Sequence, residues 1–249
     1  MRLALASGRH RLCVCVLLLV CLLSGRSAMA APFEDTIAQR VLACTGCHGQ
    51  DGRAVGDAYF PRIAGKPAGY LFNQLRNFRD GKRAYSLMTG MVALLNDDYL
   101  REIAHYFSSL DLPYPAPFAA QLSADTTDMA VTLVTRGDPD RKLAACTACH
   151  GAALTGVLPS VPGLLGLPRD YINAQLGAWK SGQRHAAEPD CMAHVARVLT
   201  TNEVSAVSAW LFAQPLPANT HAVPIGALAR ATGVRSACGS APELRAATP

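Results

Sequence analysis

The chain reads as an all-α protein built from two tandem domains of one fold. Three observations predict this. The sequence matches itself when slid by 101 to 104 residues, a period that suits a whole domain rather than a short solenoid unit. Apolar residues recur at helical intervals, and no convincing alternating run of the strand type is found. The repeated helical stretch stops at Gly81 in one copy and at Gly182 in the other, a helix-ending residue in matching places.

The repeat begins after the first thirty residues. Arg2, Arg9 and Arg11 make a basic start, an apolar run of twelve follows from Leu12 to Leu23, and Ala28-Met29-Ala30 places small residues where a signal peptidase reads them. Residues 1–30 therefore read as a cleaved secretory signal, because the run falls short of the ~20 residues that cross a bilayer. With its four arginines gone, net charge falls from +5 to +1, and six of nine cysteines remain. The remainder carries no long basic run, which argues against nucleic acid as a partner. It has no second long apolar span, so the mature form is expected to be soluble or loosely membrane-associated. At 50% hydrophobic and 16% charged the chain is globular, yet aromatics are only 6%. A core built from protein alone would be poor in large side chains.

Domain 1 is placed at 31–110 and domain 2 at 122–215, joined at 111–121 by a linker containing "DLPYPAPF" and followed at 216–249 by a Pro/Ala-rich tail. In domain 1, Ile37, Val41 and Leu42 lead into the first cysteine pair as a helix. "YLFNQLRNFRDG" spaces Leu71, Leu75 and Phe78 helically. "NDDYLREIAHYFSSL" offers Asn96 as a cap, acids in its first turn, and Leu100, Ile103, Ala104 and Phe107 on one face. Domain 2 answers with "GLPRDYINAQLGAWKSGQR", which superposes Tyr171 on Tyr70, Gln175 on Gln74 and Trp179 on Phe78. Its last helix is "TNEVSAVSAWLFAQP", ended by Pro215.

Each repeat is headed by CxxCH: Cys44, Cys47 and His48, then Cys146, Cys149 and His150. This is the attachment pattern of c-type haem. Two thiols spaced on a helical turn bond to the two haem vinyl carbons, and the next histidine offers the iron an axial nitrogen. A thioredoxin-like redox pair has no use for the histidine. A zinc site shared by both pairs would leave both histidines over. The expected cofactor is haem c, two per chain, covalently bound.

An electron-transfer haem takes a second axial ligand, usually a methionine thioether, which raises its potential. Met88 and Met192 each lie seven residues before a matched leucine, Leu95 or Leu199, in a loop before the last helix. Met91 matches Val195 and is the competitor in domain 1; either methionine could instead be core filler. An axial histidine also needs its other ring nitrogen hydrogen-bonded. The matched Pro61 and Pro162 could rigidify a carbonyl for that, or be ordinary turn prolines.

"CTGCHGQDGRA", "YFPRIAGKPAGYLFNQLRNFRDGKR", "LMTGMVALLNDDYLREIAHYFSSL" and "ACTACHGAAL" resemble the dihaem cytochromes of the cytochrome c4 family, over roughly Asp35 to Pro215. The resemblance implies two class I cytochrome c domains packed about a pseudo-twofold axis, each with His/Met iron. It implies a periplasmic electron carrier without enzymatic activity. Its partners would be redox proteins: a terminal oxidase, a cytochrome bc complex or a dehydrogenase. Family members usually carry methionine where Cys191 stands and end soon after the last helix, whereas this chain continues.

That departure keeps a second reading open, a cytochrome subunit of a periplasmic dehydrogenase or a haem oxidoreductase with a non-Met ligand at the second haem, because thiolate can ligate haem iron. Cys191 and Cys238 are the two cysteines outside the motifs once residues 1–30 are removed. In an oxidising compartment they could form a disulfide pinning the tail across the Met192 loop. The rivals are a free Cys238 and a buried or iron-ligating Cys191. His105 and His194 lack counterparts in the other repeat; His105 reads as a surface or core residue, and His194 stands close enough to Met192 to tune its surroundings.

Overall fold

A computed structural model describes residues 34–54, 59–114, 121–232 and 238–246. The signal segment and much of the linker lie outside these residues. From Thr36 onward the chain forms one compact unit.

In domain 1, α1 (Ile37–Arg40) and α2 (Leu42–His48) replace the single helix expected before the motif. Then come α3 (Ala68–Arg79), α4 (Ser86–Val92) and α5 (Asp97–Ser109). Helix α5 packs against both α1 and α3. The face predicted for it is the face it buries: Leu100, Ile103, Ala104 and Phe107. The Asn96 side chain accepts from the Tyr99 amide, so the cap is where the sequence put it. Val41, Leu71, Ile103, Ala104 and Phe107 form one apolar cluster, and Phe78, Val92 and Leu100 a second.

Domain 2 repeats the plan with α6 (Ala124–Thr135), α7 (Cys146–His150), α8 (Arg169–Lys180), α9 (Cys191–Val198) and α10 (Thr201–Ala213). Helix α10 packs against α6 and α8 around Leu133, Val134, Leu176, Val207 and Leu211. Helix α6 is not evident in the sequence, since "TTDMAVTLVT" is rich in β-branched residues of modest helix propensity; Ser123 caps it by accepting from the Thr126 amide. Gly81 and Gly182 follow the C-caps of α3 and α8 with φ of 73° and 74°, a conformation glycine adopts without strain.

Two further features differ from the sequence reading. A two-residue antiparallel pair, β1 (Gly156–Val157) with β2 (Val161–Pro162), follows the second motif. The described residues of the Pro/Ala-rich tail after Pro215 carry helices. The tail forms α11 (Ile225–Thr232) and α12 (Glu243–Ala246), and it builds an apolar cluster of Val157, Val161, Leu228, Cys238, Ala241 and Leu244. Its apolar residues are too few and too dispersed to show a period; its partners are in domain 2.

Helix α10 opens with a full capping box. The Thr200 hydroxyl accepts from the Glu203 amide, and Glu203 accepts from the Thr200 amide while also binding Arg141. Thr200→Ala is expected to cost domain 2 about 1 kcal/mol, read as a lower denaturant midpoint. The hydrogen bond from Arg141 holds the Glu203 carboxyl below the usual glutamate range. Its stabilisation is therefore present at neutral pH and fades as pH falls below that range, a dependence Glu203→Gln should flatten.

Candidate functional site: two CxxCH turns

Each CxxCH is carried on a short helix that ends at its histidine, and the backbone turns away at the next residue, Gly49 or Gly151. His48 and His150 are 8% and 7% exposed. His48 Nδ1 stands 2.8 Å from the Pro61 carbonyl, and His150 Nδ1 stands 2.7 Å from the Pro162 carbonyl. With Nδ1–H donating to that carbonyl, Nε2 keeps its lone pair for a ligand. Burial lowers both imidazole pKa values, with the proline carbonyl opposing it, so the neutral ring is favoured. Burial likewise raises the Cys44 thiol and pushes Cys146 up to about 11.

The methionines lie on short helices rather than in loops. Met88 on α4 is half-buried against the Phe78–Val92–Leu100 cluster, while Met91 is 48% exposed. Met192 on α9 is half-buried against the domain 2 core. Cys191, next to it, is bonded to Cys238, with 5.5 Å between their α-carbons. A disulfide sulfur has no thiolate to offer an iron, so this geometry removes the non-Met ligand considered for the second site. His105 is exposed on α5. His194 is exposed, with Nε2 3.1 Å from the Lys142 carbonyl. Among the described residues no cluster of three His, Cys, Asp or Glu forms, so the two cysteine pairs do not converge as a zinc site would require.

Sequence reasoning missed a cluster between the domains. Arg83 and Arg184 meet there, 8% and 4% exposed, their backbones paired as an antiparallel bridge. Arg83 donates to Gln74, Gln175 and the Tyr171 hydroxyl, and Arg184 donates to Gln175 and Gln74. Arg83 stacks on Phe78 at 4.4 Å and Arg184 on Trp179 at 3.7 Å. The two arginines are repeat counterparts that meet directly, and each also reaches the matched glutamines of both domains. Among the described residues neither arginine has a carboxylate partner. Burial first, and Arg83 second, hold Arg184 down to about 10. The signal was visible as matched Tyr, Gln and Arg in both repeats, but nothing in one dimension says that matched residues touch.

These observations test whether a haem fits. The paired thiols and carbonyl-oriented imidazoles are of the kind that would attach a haem and offer its iron one nitrogen on each turn. A haem also brings carboxylates that need partners. Two buried guanidiniums without a protein carboxylate, and a buried Trp179 indole N–H without an acceptor, suit them. The residues fit the group.

Comparison with known proteins agrees in kind. The chain is 38% identical over 169 residues to the thiosulfate dehydrogenase electron acceptor of Stutzerimonas stutzeri (strain A1501), covering 67% of this chain and 76% of that protein. It is 31% identical over 211 residues to a cytochrome c4 of Stutzerimonas stutzeri, covering 79% and 97%. Among solved structures, reduced recombinant cytochrome c4 from Pseudomonas stutzeri superposes with a TM-score of 0.61 at 30% identity, over 70% of this chain and 94% of that one. The "as isolated" thiosulfate dehydrogenase (TsdBA) from Marichromatium purpuratum superposes with a TM-score of 0.62 at 32% identity, over 70% of this chain and 36% of that longer one. No family model matches the chain.

Proposed function

The chain belongs to the cytochrome c4 family of dihaem cytochromes c, and on that premise we propose that Cys44, Cys47, His48 and Met88 hold one haem and Cys146, Cys149, His150 and Met192 the other. The protein is an electron carrier with two covalently bound haem c groups and two class I cytochrome c domains. Haem iron supplies a one-electron couple; the chain's own residues anchor it, orient it and keep water from it. Pro61 and Pro162 hold the imidazoles through their carbonyls; Arg83, Arg184 and Trp179 would receive the haem carboxylates, and Met88 and Met192 would supply the second iron ligands. Two such ligands on each iron would leave no open position for a substrate, which favours a carrier over an enzyme.

The observation that carries this reading is the pair of equivalent histidine–proline hydrogen bonds, 2.8 and 2.7 Å, each behind its own CxxCH. One shared network could arise for many reasons; the same ligand-orienting bond built twice at matched positions is what two axial histidines need. Mass spectrometry of the denatured mature protein should find two haems still attached. One haem or none would overturn the assignment.

Redox proteins are its partners. Two relatives, each 38% identical, are named as the electron acceptor of a thiosulfate dehydrogenase. They favour a dehydrogenase of that kind as the electron donor here. The signal-like first thirty residues support export, with the carrier working in the periplasm. Among the described residues no helix is long and apolar enough to cross a membrane.

A further inference from the structure

The two CxxCH turns share a sequence pattern but not an environment. In domain 1 the turn is open: Gly46 and Cys47 are exposed, and Leu42 just before it is 57% exposed. In domain 2 Ala148, the counterpart of Gly46, is 6% exposed, and Cys149 is half-buried against an apolar cluster. That cluster is made largely by the chain beyond Pro215.

The covering segment is held at several independent points. Helix α11 packs on α7, the helix carrying the second CxxCH. The Val223 amide donates to Gly156, and the Leu158 amide donates to Val223, so Val223 extends the β1–β2 pair along the edge of β1. Leu228 is 3% exposed. The Cys191–Cys238 bond ties the segment to the N-terminal end of α9, beside Met192. Beyond it, Glu243 accepts from both the amide and the hydroxyl of Ser160. The Gly239 amide donates to Pro189, and the Ser240 carbonyl accepts from Asn73 of α3 in domain 1. Contacts on both sides of the disulfide make this a seated element with an apolar underside, not a tether on a loose end.

We infer that the segment after Pro215 is a disulfide-latched cover on the second haem's attachment turn, which leaves the first haem as the one that meets redox partners. The inference rests on the dihaem reading above and goes beyond it. Electron-transfer encounters use small surfaces, so one seated segment is enough to close one of two otherwise equivalent approaches. The covered haem then exchanges electrons with the outside through its neighbour, across the interdomain contact. The apolar shell over the second turn also limits its contact with water, a lever on potential that the first turn lacks.

The test uses the ferric holoprotein and a soluble gadolinium chelate as a surface probe, read by NMR of the haem methyl resonances. The set belonging to the second haem is the one displaced by Met192→His. The expected result is loss of the first haem's methyl resonances on adding the chelate while the second set stays sharp. In a chain ending at Leu216 with Cys191→Ser, both sets should be lost. Leu228→Asp, which keeps the full chain and disturbs only the underside of the cover, should give the same loss if the shortened chain does not fold. Equal loss from both haems in the intact protein overturns the inference, as does a second set that stays sharp in Leu228→Asp. A single set of haem methyls would overturn the dihaem reading itself, a failure distinguishable from an uncovered second haem.

Discussion

Replacing Met88 with histidine is expected to lower the potential of the first haem by about 0.2–0.4 V, inside the ~0.8 V range that axial ligands span. The soft thioether favours ferrous iron; a second imidazole, the stronger donor, favours ferric iron. Met88 is the residue to change because of where α4 puts it. It faces Phe78, Val92 and Leu100 from a half-buried position, while Met91, three residues on, is 48% exposed. Spectroelectrochemical titration should show one wave moved and one unmoved, with the methionine charge-transfer band halved in the oxidised protein. Met91→Leu should change neither wave. If Met91→Leu moves the first wave and Met88→His does not, the ligand is the other methionine and the repeat match at Leu95 and Leu199 misleads.

Arg184→Met is expected to lower the stability of the holoprotein by about 3 kcal/mol, because it strands buried partners that a guanidinium now satisfies. At this chain length that corresponds to a fall in Tm of roughly 6–12 °C. Arg184 is 4% exposed and donates to Gln175 at 2.7 Å and Gln74 at 2.8 Å. Both glutamine oxygens lose a donor, and the haem carboxylates assigned to this region lose a counter-charge. Loss of a buried positive charge from the cluster assigned to the haem carboxylates would also favour the ferric form, so the potentials should fall. Arg184→Lys should rescue little, since an ammonium cannot span the two glutamines as a planar fork does. Were the melting point and both potentials unchanged in Arg184→Met, the cluster would be a packing feature with no part in holding the haems.

Local signals were legible where one residue's chemistry suffices. CxxCH, the Asn96 cap and the apolar face of α5 depend on neighbours within a few positions, and the structure places Asn96 and Leu100, Ile103, Ala104 and Phe107 as expected. The repeat made the domain plan legible, because two copies of one pattern restrict each other. What stayed hidden required three dimensions. The α6 helix is held by packing on α10 rather than by propensity. The segment after Pro215 finds its apolar partners in domain 2, some 60–90 residues back in the chain, at Cys149, Val157 and Val161. The Arg83–Arg184 meeting is invisible for a related reason: a repeat aligns counterparts on paper without saying that they touch.

That meeting of counterparts has the form of an isologous interface, in which one patch binds a copy of itself. In a homodimer of single-haem subunits, a substitution in such a patch would appear on both sides of the axis at once. With both copies in one polypeptide, each side can change alone. The marks of that freedom are at the contact: Arg83 lies on a phenyl ring and Arg184 on an indole. The indole brings an N–H donor that the phenyl lacks. Covalent joining thus lets a contact between counterparts be tuned half at a time, so that the two halves can differ in their surroundings without parting.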